Sequence, residues 1–438
     1  MPVDTHGLPI STDSEEAAQA YCEGVRRMLA AWPGAEDFLD QAIAADPAFA
    51  LAHIARGRIH AMSAQPVEMR QRIASAQALV AARGDERERS HVEAAALALS
   101  GRSDAALRAA LAHADSWPRD VLVLSLPLGA FGLFAFSGMA DHDQARVDLC
   151  ARHAASFAAD DWWFLTSSGW AFAENGEVAR GRAMIERAFE LRRENANTVH
   201  ALAHAMFEGG AGEEARALIA GWLPGYDPSG VLHGHIAWHA ALVALEHADV
   251  DTALDIYQSQ VRPGASSGMA INIVSDAASL LWRMEAYGRP ASPAHWTEIA
   301  DFAANAFPRA GHAFIDAHMA LIEAASGDSK ALGRRISALD DLIAKDALGA
   351  GPVVPAIARA AQAFADDDYA GCVAILEPVA GEVVRIGGSG AQREVIEDTL
   401  IVALMRAGEA DKARNLVDRR LHRRPSPRDA RWRAELLA

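Results

Sequence analysis

Two histidine pairs carry the clearest chemical signal in this chain. His200 and His204 are four residues apart, as are His235 and His239, and six of the 17 histidines fall between His200 and His247. Side chains at i and i+4 share one face of a helix. Two such pairs on neighbouring helices can therefore point four imidazoles into one space. Imidazole nitrogens are good ligands for a divalent transition metal such as zinc, so His200, His204, His235 and His239 are candidate metal ligands. Ala201 and Leu202 follow His200, so the glutamate of a zinc protease HExxH motif is missing and its general base is not at the usual place.

Further residues extend this constellation. His318, with Asp316 beside it, is positioned to approach from a third helix, and Asp276 to orient an imidazole through its free N–H. His204, His239, Asp276 and His318 form a candidate catalytic set for proton transfer or metal-assisted chemistry. Asp276 and Asp316 equally suit helix capping or a buried ion pair with Arg283 or Arg393. Gln392 and Arg393 follow Gly387-Gly388-Ser389-Gly390. That run lacks the GK[ST] of a phosphate loop, so it reads as a turn from which Arg393 reaches inward, with a guanidinium fork suited to an anion or carboxylate. Gln392, Arg393, Trp238 and Asp316 are the candidate ligand contacts. Trp162, Trp163 and Trp170 form an aromatic set in which one of the adjacent pair packs in the core and the other can line a cavity. Packing between helices, with each imidazole bonded to a carbonyl or carboxylate, is the competing account of the histidines. His233 and His247 read as turn or surface residues.

The elements that must position these groups are helices. The chain is rich in alanine, with apolar residues at three- and four-residue spacing and breaks at Pro33-Gly34, Gly176, Pro224-Gly225, Pro263-Gly264, Gly327 and Gly408, a pattern of many short helices joined by tight turns. A faint period runs through it. Ala35, Leu39, Ala42 and Pro47 match the second half of a tetratricopeptide repeat, a helix–turn–helix unit of about 34 residues, and Gly57 falls where the next unit takes a small residue. Gly169, Phe172, Gly176, Ile185 and Ala188 give a second match, Gly408, Ala413, Val417 and Pro425 a third, and Ala253 with Tyr257 a partial one. The expected fold is all-α, a tetratricopeptide-like solenoid of degenerate repeats curled around a central pocket. Residues 1–19 are expected to form an N-terminal segment, 20–425 the repeat domain and 426–438 a basic tail.

Composition narrows the partners. The 438 residues are 51% hydrophobic and carry a net charge of −17, which argues against nucleic acid or an anionic membrane surface as partner. The basic cluster Arg419, Arg420, Arg423, Arg424, Arg428, Arg431 and Arg433 reads as a solvated final helix and tail. Cys22, Cys150 and Cys372 are far apart, without a CxxC pair, as expected in a reducing cytoplasm. The N-terminus has neither the basic nor the apolar region of a signal peptide. The apolar run 121–138 is near the minimum spanning length, but Pro127, Gly129 and Gly132 make a buried core helix the better reading.

Several ordered segments resemble the tetratricopeptide repeat protein 38 family. They are Arg87-Glu88-Arg89-Ser90-His91-Val92, Val199 to His204, His235 to Leu242, Ala253 to Tyr257, Val274 to Ala277 with Leu280 to Arg283, Asp316-Ala317-His318, and Ala391 to Glu394. The resemblance spans roughly residues 20–420. The chain departs from the pattern at Ile236 and Ala237, where polar residues are frequent, and the acidic residue after His204 is Glu208, four positions on. The resemblance implies an all-α repeat fold and brings no assigned activity. Two classes of function remain open on the residues. One is a binding module, taking a small polar molecule or a protein or peptide in a histidine-rich concave pocket, as a monomer or oligomer. The other is an enzyme, a hydrolase or lyase acting on a small polar or carboxylate-bearing substrate.

Overall fold

The computed structural model describes residues 2–437. It contains 23 α-helices, and its β-structure among the described residues is one isolated bridge between Val3 and Pro9. From residue 162 onward the helices alternate between two layers. Trp162–Glu174, Ala196–Glu208, His233–Glu246, Ala270–Ala286, Ala313–Ala325 and Val353–Ala365 pack one on the next as an inner layer. Val178–Leu191, Gly212–Trp222, Val250–Ile256, Pro293–Ala306, Ser329–Ala344 and Tyr369–Leu376 back them on the outside. This is a tetratricopeptide-like solenoid of degenerate helix–turn–helix repeats. The repeat starts drift away from an even period, which is why the sequence match fades between units.

The small-and-large pattern read from the sequence is the packing code of these pairs. Gly169 lets its helix approach the next so closely that a Cβ there would sit 2.6 Å from Ile185 Cγ1 and 2.8 Å from the Gly181 carbonyl. Leu39, Ala42, Ile185, Ala188, Ala253, Tyr257, Ala413 and Val417 are all fully buried. Each repeat hides its apolar face by stacking on a neighbour, and among the described residues the buried apolar side chains gather in five clusters, the two largest in the N-terminal and C-terminal parts of the array.

The solenoid curls back on itself. Asn197 Nδ2 donates to the Leu29 carbonyl at 2.7 Å and Tyr226 Oη to that of Ala31 at 2.6 Å, which ties the first repeat to the middle of the chain. Arg385 Nη1 donates to the Gly138 carbonyl at 2.9 Å and His142 Nε2 to that of Val384 at 3.1 Å. The motif at 87–92 anchors the N-terminal segment. Arg87 donates to the Pro9 carbonyl and to Asp120, Glu88 accepts from the Ser11 amide, and His91 bonds Asp120 at 3.0 Å. The apolar run at 121–138 forms only a short helix, Val121–Leu128, before Gly129 breaks it. Among the described residues no helix is long and apolar enough to cross a membrane.

The C-terminal basic cluster differs from the solvated tail expected. Pro427–Glu435 is a docked helix, and Arg420, Arg424 and Arg428 are buried. Glu394 accepts from all three, with Arg424 held through both carboxylate oxygens at 2.9 Å. Arg424 also reaches Glu246 at 2.7 Å, and Asp398 joins Arg420 at 2.7 Å and Arg283 at 3.0 Å. Four buried guanidinium groups are thus matched to carboxylates brought from distant helices, a relation that sequence spacing does not display. Removing one partner of a buried ion pair typically costs about 3–5 kcal/mol. Glu394→Ala is therefore expected to lower the unfolding free energy in urea by about that amount, and a loss no larger than that of an exposed Glu→Ala change would refute the clasp.

Candidate metal centre and adjoining cavity

The HxxxH pairs lie on two successive inner helices, Ala196–Glu208 and His233–Glu246. The first begins at Asn195, whose side chain accepts from the Thr198 amide at 3.1 Å, a strong N-terminal cap. The second passes close to the neighbouring chain at Gly234, where a Cβ would lie 2.6 Å from the Gln260 carbonyl and 2.4 Å from Ser266 Oγ. That close approach seats His235 and His239 against the first helix.

The four imidazoles converge. Ring centroids are 4.2 Å apart for His204 and His239, 4.7 Å for His200 and His235, and 5.3 Å for His200 and His239. One nitrogen from each ring lies within 4.8 Å of the others. Two carboxylates stand behind them. Asp276, on the next inner helix, bonds His235 Nδ1 at 2.7 Å, and Glu174, on the preceding one, lies 3.3 Å from His204 Nδ1 and accepts from the Gly390 amide at 2.8 Å. If His235 donates Nδ1–H to Asp276, its Nε2 lone pair faces the cluster, where His200 Nε2 approaches at 3.0 Å. A carboxylate behind a histidine fixes the tautomer and strengthens the imidazole as a ligand. Trp170 stacks on His200 at 5.5 Å and Trp238 on His235 at 5.4 Å.

Burial, reinforced by the neighbouring rings, pushes the pKa of His200 and His239 well below the usual imidazole value. Both are neutral near pH 7 and keep lone pairs for a ligand. Neither ring nitrogen of His239 or His204 has a well-aligned hydrogen-bond partner among the described residues. The donor set, four imidazole nitrogens with carboxylates one step away, fits a transition metal that accepts imidazole.

His200, His204 and His235 also line a half-open cavity of about 490 Å³, within the usual size of a small-molecule site. Gln392 and Asn272 lie on the same wall, with Trp162, Trp163, Phe131 and Phe136 among the apolar residues. His239 sits behind the cavity wall.

Other expected site residues lie elsewhere. His318 Nδ1 donates to the Phe314 carbonyl of its own helix at 2.8 Å and stays outside the cluster. Asp316 accepts from the Gly311 and His312 amides at 2.8 Å and from Arg335, so it caps a helix and forms an ion pair. Arg393 is occupied by the Gly388 carbonyl at 2.6 Å and by Asp143 at 3.3 Å. It lines a separate groove with Glu174, Glu208, Glu394 and Arg423. Gln392 closes a capping box with Ser389 and leaves its Nε2 without a partner. Trp238 is wholly buried behind His235. His247 is exposed against Glu213, and His233 is half-buried beside Tyr226. Sequence reasoning missed Glu174, which no local spacing links to His204. It also missed Arg58 of helix Ala50–Met62, which lines the cavity.

No family model matches the sequence. The solved structures to which the chain is similar include the following. The crystal structure of the yeast Tom70 is 11% identical over 96% of this chain and 94% of that chain, with a TM-score of 0.32. Pseudomonas aeruginosa pilF is 15% identical over 57% of this chain and 93% of that chain, at 0.24. The P58(IPK) TPR domain is 12% identical over 90% of this chain and 99% of that chain, at 0.21. At these TM-scores the likeness supports no reading of function, and the repeat architecture stands on the helix pairing within the chain.

Glu208, one turn beyond His204, supplies a pH test of the charged groove. Burial pushes its carboxyl up to about 7, against the pull of Arg424 and with Glu174 and Glu394 adding to the rise. A carboxyl raised in the folded state holds its proton longer there than when unfolded. Its stabilising effect is complete below the ordinary glutamate value and is lost as pH rises through about 7. Glu208→Gln should therefore flatten the fall in melting temperature between about pH 5 and pH 8 and add roughly 2 kcal/mol at the upper end. A variant with the wild-type slope would contradict the assignment.

Proposed function

We propose that this helical-repeat protein binds a divalent transition metal, zinc by preference, through His200, His204, His235 and His239, and admits a small ligand to the adjoining cavity. The observation that carries the reading is the convergence of four imidazoles, one nitrogen of each within 4.8 Å of the others, with neither ring nitrogen of His204 or His239 finding a hydrogen-bond partner. A buried polar atom without a partner costs about 1–3 kcal/mol, and a metal ion would engage one nitrogen of each ring. Asp276 and Glu174 serve as the outer partners that orient His235 and His204. The ordered motifs also support placing the chain with the tetratricopeptide repeat protein 38 family, and the widely separated cysteines support a reducing compartment. Repeat solenoids present long surfaces to proteins and peptides, so the metal centre is built into a fold suited to a scaffold.

The binding reading is favoured over turnover because His318 stays apart from His204, His239 and Asp276, the other members of the catalytic set suggested by the sequence. His318 bonds within its own helix and Asp316 is held by Arg335, which leaves the cluster with its two orienting carboxylates. Protein purified without a polyhistidine tag and stripped with chelator should bind about one equivalent of zinc in a calorimetric titration. His239→Ala should abolish that binding, and Asp276→Asn should weaken it about 10–100-fold. A wild-type protein that takes up no zinc, with His239→Ala merely lowering the melting temperature, would leave the histidines as packing residues.

A further inference from the structure

Arg58, half-buried on the cavity wall, is unlike the buried arginines. Arg87, Arg146, Arg283, Arg335, Arg420, Arg424 and Arg428 each meet a carboxylate. Arg58 meets none among the described ion pairs. Its protein contacts are the Leu122 carbonyl at 3.2 Å and Ser125 Oγ at 2.8 Å, both through Nη1. Burial, with no acid to oppose it, pushes its pKa down to about 10, so the group stays charged at neutral pH. An unpaired charge drawn out of water is expensive, and guanidinium cannot escape the cost by losing its proton.

The surroundings sharpen the point. Arg58 lines the same cavity as His200, His204 and His235, and no aspartate or glutamate lines that cavity. This is unusual in a chain of net charge −17. Tryptophan, phenylalanine, leucine and methionine make up about half of the remaining wall, with neutral hydroxyl and amide side chains among the rest. One fixed positive charge in a largely neutral, acid-free cavity with an aromatic wall is complementary to one negative charge on an apolar body.

We propose that the cavity ligand is a monoanionic organic acid whose carboxylate pairs with Arg58 and whose apolar or aromatic body lies against Trp162, Trp163, Phe131 and Phe136. The proposal rests on reading the cavity as a ligand site and does not depend on the metal. Arg58 takes the part the sequence suggested for Arg393, because Arg393 is already held by Asp143 and the Gly388 carbonyl. The planar fork of guanidinium suits a carboxylate, since two parallel N–H donors can meet its two oxygens.

The test uses phenylbutyrate and its neutral counterpart phenylbutanol, titrated into the chelator-treated full chain and followed by tryptophan fluorescence. Trp162 and Trp163 in the wall report occupancy. The carboxylate should bind at least about tenfold more tightly than the alcohol, a difference of about 1.4 kcal/mol. Arg58→Met should erase that preference. It should also hold or raise the melting temperature without ligand, because it removes a half-buried charge that no carboxylate compensates. Equal binding of acid and alcohol overturns the Arg58 inference and leaves the cavity a ligand site. Binding of neither overturns the cavity reading as well, whatever the zinc titration shows. A melting temperature lowered by Arg58→Met, with the acid preference intact, would assign Arg58 a structural role and overturn the proposal.

Discussion

The structure turns on the burial of imidazole nitrogens that the protein itself does not satisfy. His204 and His239 each present both ring nitrogens without a well-aligned partner, and the indole nitrogens of Trp170 and Trp238 are also unpaired. Folding gathers polar atoms that water would have solvated and surrounds them with alanine, tryptophan and one another. A purely structural core does the reverse, pairing its polar groups or dispensing with them. The clasp of Arg420, Arg424 and Arg428 on Glu394 pairs its charges, although Arg420 Nε, Arg424 Nε and Asp429 Oδ2 have no well-aligned hydrogen-bond partner. The imidazole cluster is set apart because two whole rings, His204 and His239, go unpaired while four ring nitrogens converge within 4.8 Å.

The repeat architecture makes such a cluster available. Successive inner helices of a solenoid present the same face to the interior, so a pair at i and i+4 on one helix stands beside the equivalent pair on the next. Glu174 and Asp276 come from the inner helices on either side, so four consecutive repeats contribute to one centre. The curl that ties Leu29 and Ala31 to Asn197 and Tyr226 then encloses the space in front of the histidines. A straighter array would leave the same residues on an open groove, where water would satisfy them and no buried site would form.

Much of the local architecture was legible in the sequence because it depends on short spacings. The HxxxH pairs, the small residues at Gly169, Ala188 and Ala413, and the closing Pro47 all act within one or two helices. What was not legible depends on contacts between distant segments. Arg393 and Asp316 were reasonable site residues until the fold placed Asp143 beside one and Arg335 beside the other. Arg420, Arg424 and Arg428 read as a solvated tail because their carboxylates come from residues 246, 394 and 398. Arg58 gave no signal at all, since its distinction is the acid that is not near it, and only the three-dimensional neighbourhood reveals that.

The most direct test of the central claim is X-ray absorption at the zinc edge of the zinc-loaded protein. Coordination by the four imidazoles predicts a first shell of about four nitrogens at roughly 2.0–2.1 Å, with the outer-shell scattering of histidine rings. A shell of water and carboxylate oxygens without that ring signature, or a sulfur shell near ~2.3 Å, would contradict it.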